Sequence, residues 1–237
     1  MQSKAVGLIL FKKPIKDNDI YIKILSANDK ILSGLVYGGN SSKKKLTYQL
    51  GYFIEFNQLQ KNSNSVNSIS GEIVGPYVGS IYEDKLKSFS LLSIISILNE
   101  SILEGEKISG LFISVKHLVN FIINNQNWLP NYCEWLLYLL KLLGYEIDYN
   151  NKKNMEYFNL NLLNFQKVYT SNNSILFPHK LFNKNCSITY EYVNSFFIIF
   201  ESVFKKNNIN NFNEGMPINY LNFKNLVKKS LKNIINE

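Results

Sequence analysis

"IYIKILSANDKILSGLVYG", residues 20 to 38, sets two apolar, β-branched runs on either side of the polar turn "NDK". Ile, Val and Tyr suit a pleated, half-buried surface, and an Asn-Asp pair between two such runs reverses the chain. The stretch reads as a tight hairpin with strands over 20–27 and 31–38. Three more runs of the same kind flank it: "AVGLILF" (5–11), "GYFIEFNQLQ" (51–60) and "SISGEIVGP" (68–76). The turn-rich segments "KKPIKDND", "YGGNSSKKKLTY" and "KNSNSVN" lie between. The fourth run alternates, with Tyr52, Ile54 and Phe56 against Phe53, Glu55 and Asn57, which predicts one buried and one wet face.

Five short strands within the first 80 residues fit a small closed barrel of the OB or SH3-like type, and their spacing also allows a plain meander. After Pro76 the apolar period lengthens from two to 3.6. One helix is predicted over 83–103, with a stripe of Leu86, Phe89, Leu92, Ile95, Leu98 and Ile102. A second covers 108–123, with a stripe running from Ile108 through Leu111 and Val115 to Ile122. A third has Pro130 in its first turn and Gly144 as a left-handed stop, and is apolar nearly all round, as expected at the centre of a bundle. Residues 148–187 carry little periodicity and much Asn, and read as irregular with short strands or turns. Helices over 191–206 and 219–235 close the chain, with Asn219 as a candidate N-cap. The expected class is α+β: an OB-type barrel over 1–78 and a mainly helical domain over 79–237.

Composition narrows the function. All 26 basic residues are lysines, against 18 acids, for a net charge of +8, and residues 1–80 hold ten lysines and five acids. An excess of this kind suits a polyanionic partner such as a nucleic acid, although abundant Lys, Asn and Ile also accord with an AT-rich coding bias. Two cysteines, Cys133 and Cys186, are too few for a four-thiolate metal site and read as free thiols of a reducing compartment. The N-terminal apolar run is short for a secretion signal, and no segment approaches a membrane span, so a cytoplasmic protein without membrane association is expected.

Candidates for catalysis do not converge. His117 lies beside a helical stripe and His179 in the loop "FPHKLF"; both read as structural. Glu104 and Glu106, like Glu146 and Asp148, read as solvated charges near helix ends. The motifs G-x-S-x-G, H-E-x-x-H and Walker A are absent, and Gly38 and Gly39 lack the spacing of a nucleotide cradle. No catalytic site, metal or cofactor is expected.

A barrel of the OB type grips ligands with strands 2 and 3 and with the loops joining strands 1 to 2 and 4 to 5. Lys12, Lys13 and Lys16 fall in or near the first of these loops, Lys43, Lys44 and Lys45 follow the third strand, and Lys61 opens the last loop. Tyr21 and Tyr37 lie on the strands between. Ammonium groups would meet phosphates while tyrosine rings stack on unpaired bases. Without arginine, bidentate reading of guanine is missing, so contact with the backbone regardless of sequence is expected.

In order along the chain, "GLILFKKPIKDNDIYIKILSANDKILSGLVYGGNSSKKKL" (7–46), "YCEWLLYLLKLLGYEIDY" (132–149) and "LFPHKLF" (176–182) resemble the RecO family of bacterial recombination mediators. The resemblance rests on collinearity over most of the chain. It implies an OB-fold followed by a helical domain, and a protein without enzymatic activity that binds single- and double-stranded DNA and anneals complementary strands. It further implies partnership with RecR and with the acidic C-terminal tail of the single-strand DNA-binding protein, help in loading RecA at gaps, and a place at the nucleoid. Two features depart from the family's pattern: its four-cysteine zinc site has no counterpart after Asp148, where Cys186 stands alone, and its surface arginines are replaced by lysines. A zinc-free branch is implied, and Lys43 to Lys45 carry over most firmly. Two other classes suit the same residues: a protein-interaction adaptor with little DNA binding of its own, and an RNA-binding OB module.

Overall fold

A computed structural model describes residues 4–59, 66–170, 172–183, 187–207 and 215–235. The chain divides into two compact units, residues 1–124 and 125–237.

In the first unit, all five predicted strands form: β1 (Ala5–Pro14), β2 (Ile20–Ser26), β3 (Ile31–Val36), β4 (Phe53–Leu59) and β5 (Ser68–Ile73). They close into a barrel of order β1-β2-β3-β5-β4, with β1 returning antiparallel to β4 and β3 meeting β5 in parallel at Leu35 and Ser68. Of the arrangements that the spacing allowed, this is the closed five-stranded one, consistent with the OB barrel expected. β1 serves two neighbours, pairing Gly7 with both Ser26 and Ile54. A Cβ at Gly7 would lie 2.2 Å from the Ile24 side chain, so the crossing tolerates only glycine.

Ile9, Ile20, Ile22, Ile24, Val36, Ile54, Phe56 and Ile69 fill the interior, one side of every strand pointing inward. Tyr48 joins them from the segment after β3, and its hydroxyl accepts from Gly71 N at 2.9 Å and reaches Gly71 O at 3.2 Å. The alternation in β4 places Ile54 and Phe56 inside as predicted, but the opposite face is not uniformly wet. Phe53 is fully buried, its ring 6.2 Å edge-to-face from that of Phe112.

That cover comes from two helices, α1 (Lys85–Ser101) and α2 (Leu111–Asn124). The stripe predicted for α2 is buried throughout. In and just after α1, Ile95, Leu98 and Ile102 are buried as predicted, whereas Leu86, Phe89 and Leu92 are half-buried and Leu91, Ile94 and Ile97 complete the core face. Ser90, Ser93 and Ser101 are buried too, so α1 is covered on more sides than a simple amphipathic period anticipates. Asp84 caps α1 by accepting from Lys87 N at 3.0 Å. The turn of the β2–β3 hairpin caps α2, since the Asp29 carboxylate accepts from Gly110 N at 2.8 Å and Phe112 N at 2.9 Å.

The second unit holds α3 (Leu129–Leu142), a three-stranded sheet of order β7-β6-β8, α4 (Tyr190–Lys206) and α5 (Ile218–Ile235). The strands are β6 (Tyr157–Asn159), β7 (Asn164–Gln166) and β8 (Ser174–Leu176), inside the stretch expected to be irregular. Pro130 stands in the first turn of α3, and Gly144 follows it with φ +90°. Tyr132, Cys133, Leu136 and Leu140 of α3 are fully buried, and burial pushes the Cys133 thiol pKa up. Cys186 lies outside the described residues. Asn219 does not cap α5: the Pro217 carbonyl accepts from Leu221 N at 3.0 Å, which puts Asn219 inside the first turn. No helix among the described residues is long and apolar enough to cross a membrane.

Candidate nucleic-acid interface

Strand register separates the lysines of the first unit by face. Tyr21 stands opposite Lys13 on β1 and Leu35 on β3, while Lys23 stands opposite Phe11 and Ser33. The alternate residues Ile20, Ile22 and Ile24 fill the core, so Phe11, Lys13, Tyr21, Lys23, Ser33 and Leu35 share the outer face of three adjacent strands. On this face the Phe11 and Tyr21 rings meet edge-on at 6.5 Å, and the Lys23 ammonium lies 5.9 Å from the Phe11 centroid. Lys12 faces the other way. It opposes Ile22, is half-buried, and burial lowers its pKa.

One rim of the barrel gathers the remaining candidates. Residues 15–19 form a compact turn, with Ile15 N donating to Asp19 O at 3.0 Å, Asp19 N donating to Lys16 O at 2.9 Å and Asp17 at φ +49°. The Asp19 carboxylate then accepts from Gly38 N at 2.7 Å, and Asn18 O accepts from Asn40 N at 2.7 Å. These bonds stitch the first loop to the segment after β3, so exposed Lys16 and the exposed run Lys43, Lys44 and Lys45 belong to one rim. The run is wound into successive turns, Lys44 N and Lys45 N both donating to Ser41 O, and Lys44 Nζ donates to Tyr37 O at 3.1 Å. Tyr48, inserted in the barrel, anchors the far end of these turns. Tyr37 is 54% exposed, and Ile15 and Leu46 of the two stitched segments are exposed as well. Lys61 lies outside the described residues.

Phe11 and Lys23 escaped the sequence reading, as did the plug Tyr48. A signal for the first two was present, because Lys23 sits two residues from Tyr21 on a strand and therefore on its face. The β4–β5 side differs in charge: Glu55 stands opposite Glu72, and Lys4 Nζ lies 2.8 Å from the Glu55 carboxylate. A cleft of about 240 Å³ opens there, lined by both acids and by Asn57, Ser70 and Lys44. Lys4 and Lys44 face the two acids in this cleft, so it offers phosphates little net attraction, whereas the β1–β2–β3 face and the exposed rim lysines attract them.

Groups suited to other chemistry stay apart. His117 is exposed on α2, and His179 Nε2 lies 3.0 Å from Met155 O with its ring against Phe165 and Phe177. Among the described residues no three His, Cys, Asp or Glu side chains gather in a way that would hold a metal ion. Glu104 is not simply solvated, because its carboxylate accepts from the Ser33 hydroxyl.

Residues 82–156 match the family model described as "Recombination protein O C terminal". Curated relatives named DNA repair protein RecO are similar over a longer stretch. That of Rickettsia canadensis is 30% identical over 150 residues, covering 62% of this chain and 61% of the relative. That of Rickettsia akari is 32% identical over 150 residues, covering 62% of each. That of Rickettsia bellii is 30% identical over 154 residues, covering 63% of this chain and 61% of the relative. The chain thus spans 61 to 62% of the length of these curated relatives. The similarity runs over residues 82–156 to the C-terminal part of recombination protein O, and over about 62% of the chain to DNA repair proteins RecO.

Proposed function

We propose that this chain acts in DNA repair and homologous recombination as a mediator that binds single- and double-stranded DNA and anneals complementary strands. In the same proposal it works with RecR and the tail of the single-strand DNA-binding protein to help load RecA at gaps. The likeness to DNA repair proteins RecO carries the role. The barrel supports the mode of binding. Lysines on the rim and strand face take phosphates and the aromatic rings of that face take bases, while Glu55 and Glu72, balanced by Lys4 and Lys44, give the β4–β5 side no such excess of positive charge.

Annealing follows from charge neutralisation. Two strands each carrying phosphates repel, and a surface of ammonium groups that holds both lowers that repulsion without any bond being made or broken. No reacting group is required, so the proposal includes no enzymatic step.

The test is a salt titration of single-stranded DNA affinity for wild type and for a Lys43→Ala, Lys44→Ala, Lys45→Ala variant. Each phosphate contact contributes about 0.7 to the log-log slope, so loss of the run is expected to flatten the slope by about 1 to 2. An unchanged slope removes the run from the interface. Clear preference for structured RNA over DNA would move the reading to an RNA-binding module, and absence of binding at physiological salt would move it to an adaptor.

A further inference from the structure

The outer face of β1–β2–β3 changes character along its length. Near the hairpin it is roofed: Leu25 and Ile31 are buried, Ile108 N donates to Asp29 O at 3.1 Å, and Gly105 N donates to Ile31 O at 3.0 Å. Beyond that roof the half-exposed residues Phe11, Tyr21 and Lys23 begin. Glu104 stands at the border. Its loop is tied to β3 by the Gly105 bond to Ile31 and closed within itself by Leu103 N donating to the Glu106 carboxylate at 3.0 Å, and the Glu104 carboxylate accepts from Ser33. Ser33 is 9% exposed, and its strand partner across the ladder is Lys23. Directly opposed side chains on one face stand about 5 Å apart at Cβ, within reach of a long ammonium.

A hydroxyl and an ammonium that can reach the same oxyanion are the pair that proteins offer to a phosphate oxygen, and the Lys23 ammonium, 5.9 Å from the Phe11 centroid, would reach Ser33 by swinging across the face. In the free protein an oxyanion of this chain's own already sits on that hydroxyl. We propose that Ser33 and Lys23 form a phosphate subsite for single-stranded nucleic acid, which the Glu104 carboxylate holds until a phosphate displaces it. The ring faces of Phe11 and Tyr21 flank the subsite, so a phosphate at Ser33 brings the adjoining bases over aromatic surface. Because Glu104 belongs to a loop anchored by its backbone, displacement needs only its side chain to swing away.

This inference rests on the nucleic-acid reading above, and a cycle of variants separates the two. Affinity for an oligothymidylate is measured across salt for wild type, Glu104→Gln, Ser33→Ala and the double variant, with circular dichroism confirming the fold of each. Glu104→Gln keeps an oxygen acceptor for Ser33 and removes the charge. Wild type must displace the carboxylate, which cancels part of the gain from the new contact. Glu104→Gln is therefore expected to bind severalfold more tightly, with a slope steeper by up to about 0.7. Ser33→Ala is expected to weaken binding in the Glu104→Gln background by more than it does in wild type. A gain in affinity with no change of slope and no dependence on Ser33 would reduce Glu104 to a distant repelling charge and overturn the subsite. Equal affinities of Glu104→Gln and wild type would overturn it as well, leaving the rim lysines untouched. If neither protein bound the oligonucleotide, the nucleic-acid reading itself would fall, and the subsite with it.

Discussion

Tyr48 shows how one residue ties the fold to the candidate site. It comes from a stretch that reads as a polar turn, yet its ring lies inside the barrel and its hydroxyl serves both backbone groups of Gly71. Burial raises its pKa, so the phenol stays protonated over any ordinary working range. Tyr48→Phe keeps the ring and removes the hydroxyl from the half-buried Gly71 N–H and C=O, a loss of about 0.5 to 1.5 kcal/mol. Urea unfolding is expected to show a lower midpoint at an unchanged m-value. A midpoint equal to wild type would mean that the hydroxyl does not hold the segment. Nothing in the local sequence foretells the inward turn of Tyr48, because a tyrosine between Thr47 and Gln49 carries no period. The inward face of Lys12 was likewise hidden, since it depends on the irregular pairing of β1 with β2 between Ile9 and Phe11.

Among the elements, the β2–β3 hairpin does more than reverse the chain. Asp29, at φ +62°, points its carboxylate at the start of α2 and satisfies two of the N–H groups that any helix leaves open. Asp29→Ala removes a cap and a link between barrel and helix together, and is expected to destabilise by about 1 to 2 kcal/mol. Asp29→Asn keeps one acceptor oxygen and should recover part of that loss. Equal stability of the alanine variant and wild type, by thermal or denaturant melting, would show that the α2 terminus is satisfied by other means. The strands themselves were legible because their apolar runs are short, β-branched and bounded by turn residues. The partner of each outer face was not legible: Phe53 looked solvent-facing until α2 covered it with Phe112, and the serines of α1 read as polar although they are buried. Packing between elements distant in sequence decides those positions, and period alone does not register it.

Across the whole chain, charge is distributed by face as well as by segment. The excess of lysine in residues 1–80 was visible in the sequence, but strand register was needed to show that Glu55 and Glu72 gather on β4–β5, beside Lys4 and Lys44, while Lys13 and Lys23 stand on the β1–β2–β3 face. The second unit is held differently, by an aromatic core in which Tyr132 and Phe223 rings meet at 4.7 Å and Phe197 lies 5.9 Å from Tyr220. Glu201 is paired there with Lys224 at 2.5 Å and receives the Tyr220 hydroxyl at 3.2 Å. Since both charges are largely buried, Glu201→Ala should destabilise this unit by about 3 kcal/mol or more, by leaving Lys224 unpaired. Melting of the full chain followed at Trp128 and Trp135, both in this unit, would register the loss, and an unchanged melting curve would show that the pair contributes nothing net. The central claim is that nucleic acid lies on the β1–β2–β3 face and its lysine rim. Ultraviolet crosslinking of the full chain to an oligothymidylate, followed by mass spectrometry of the peptides, tests it directly. The account predicts adducts at Phe11, Tyr21 or Tyr37; adducts confined to residues 125–237 would contradict it.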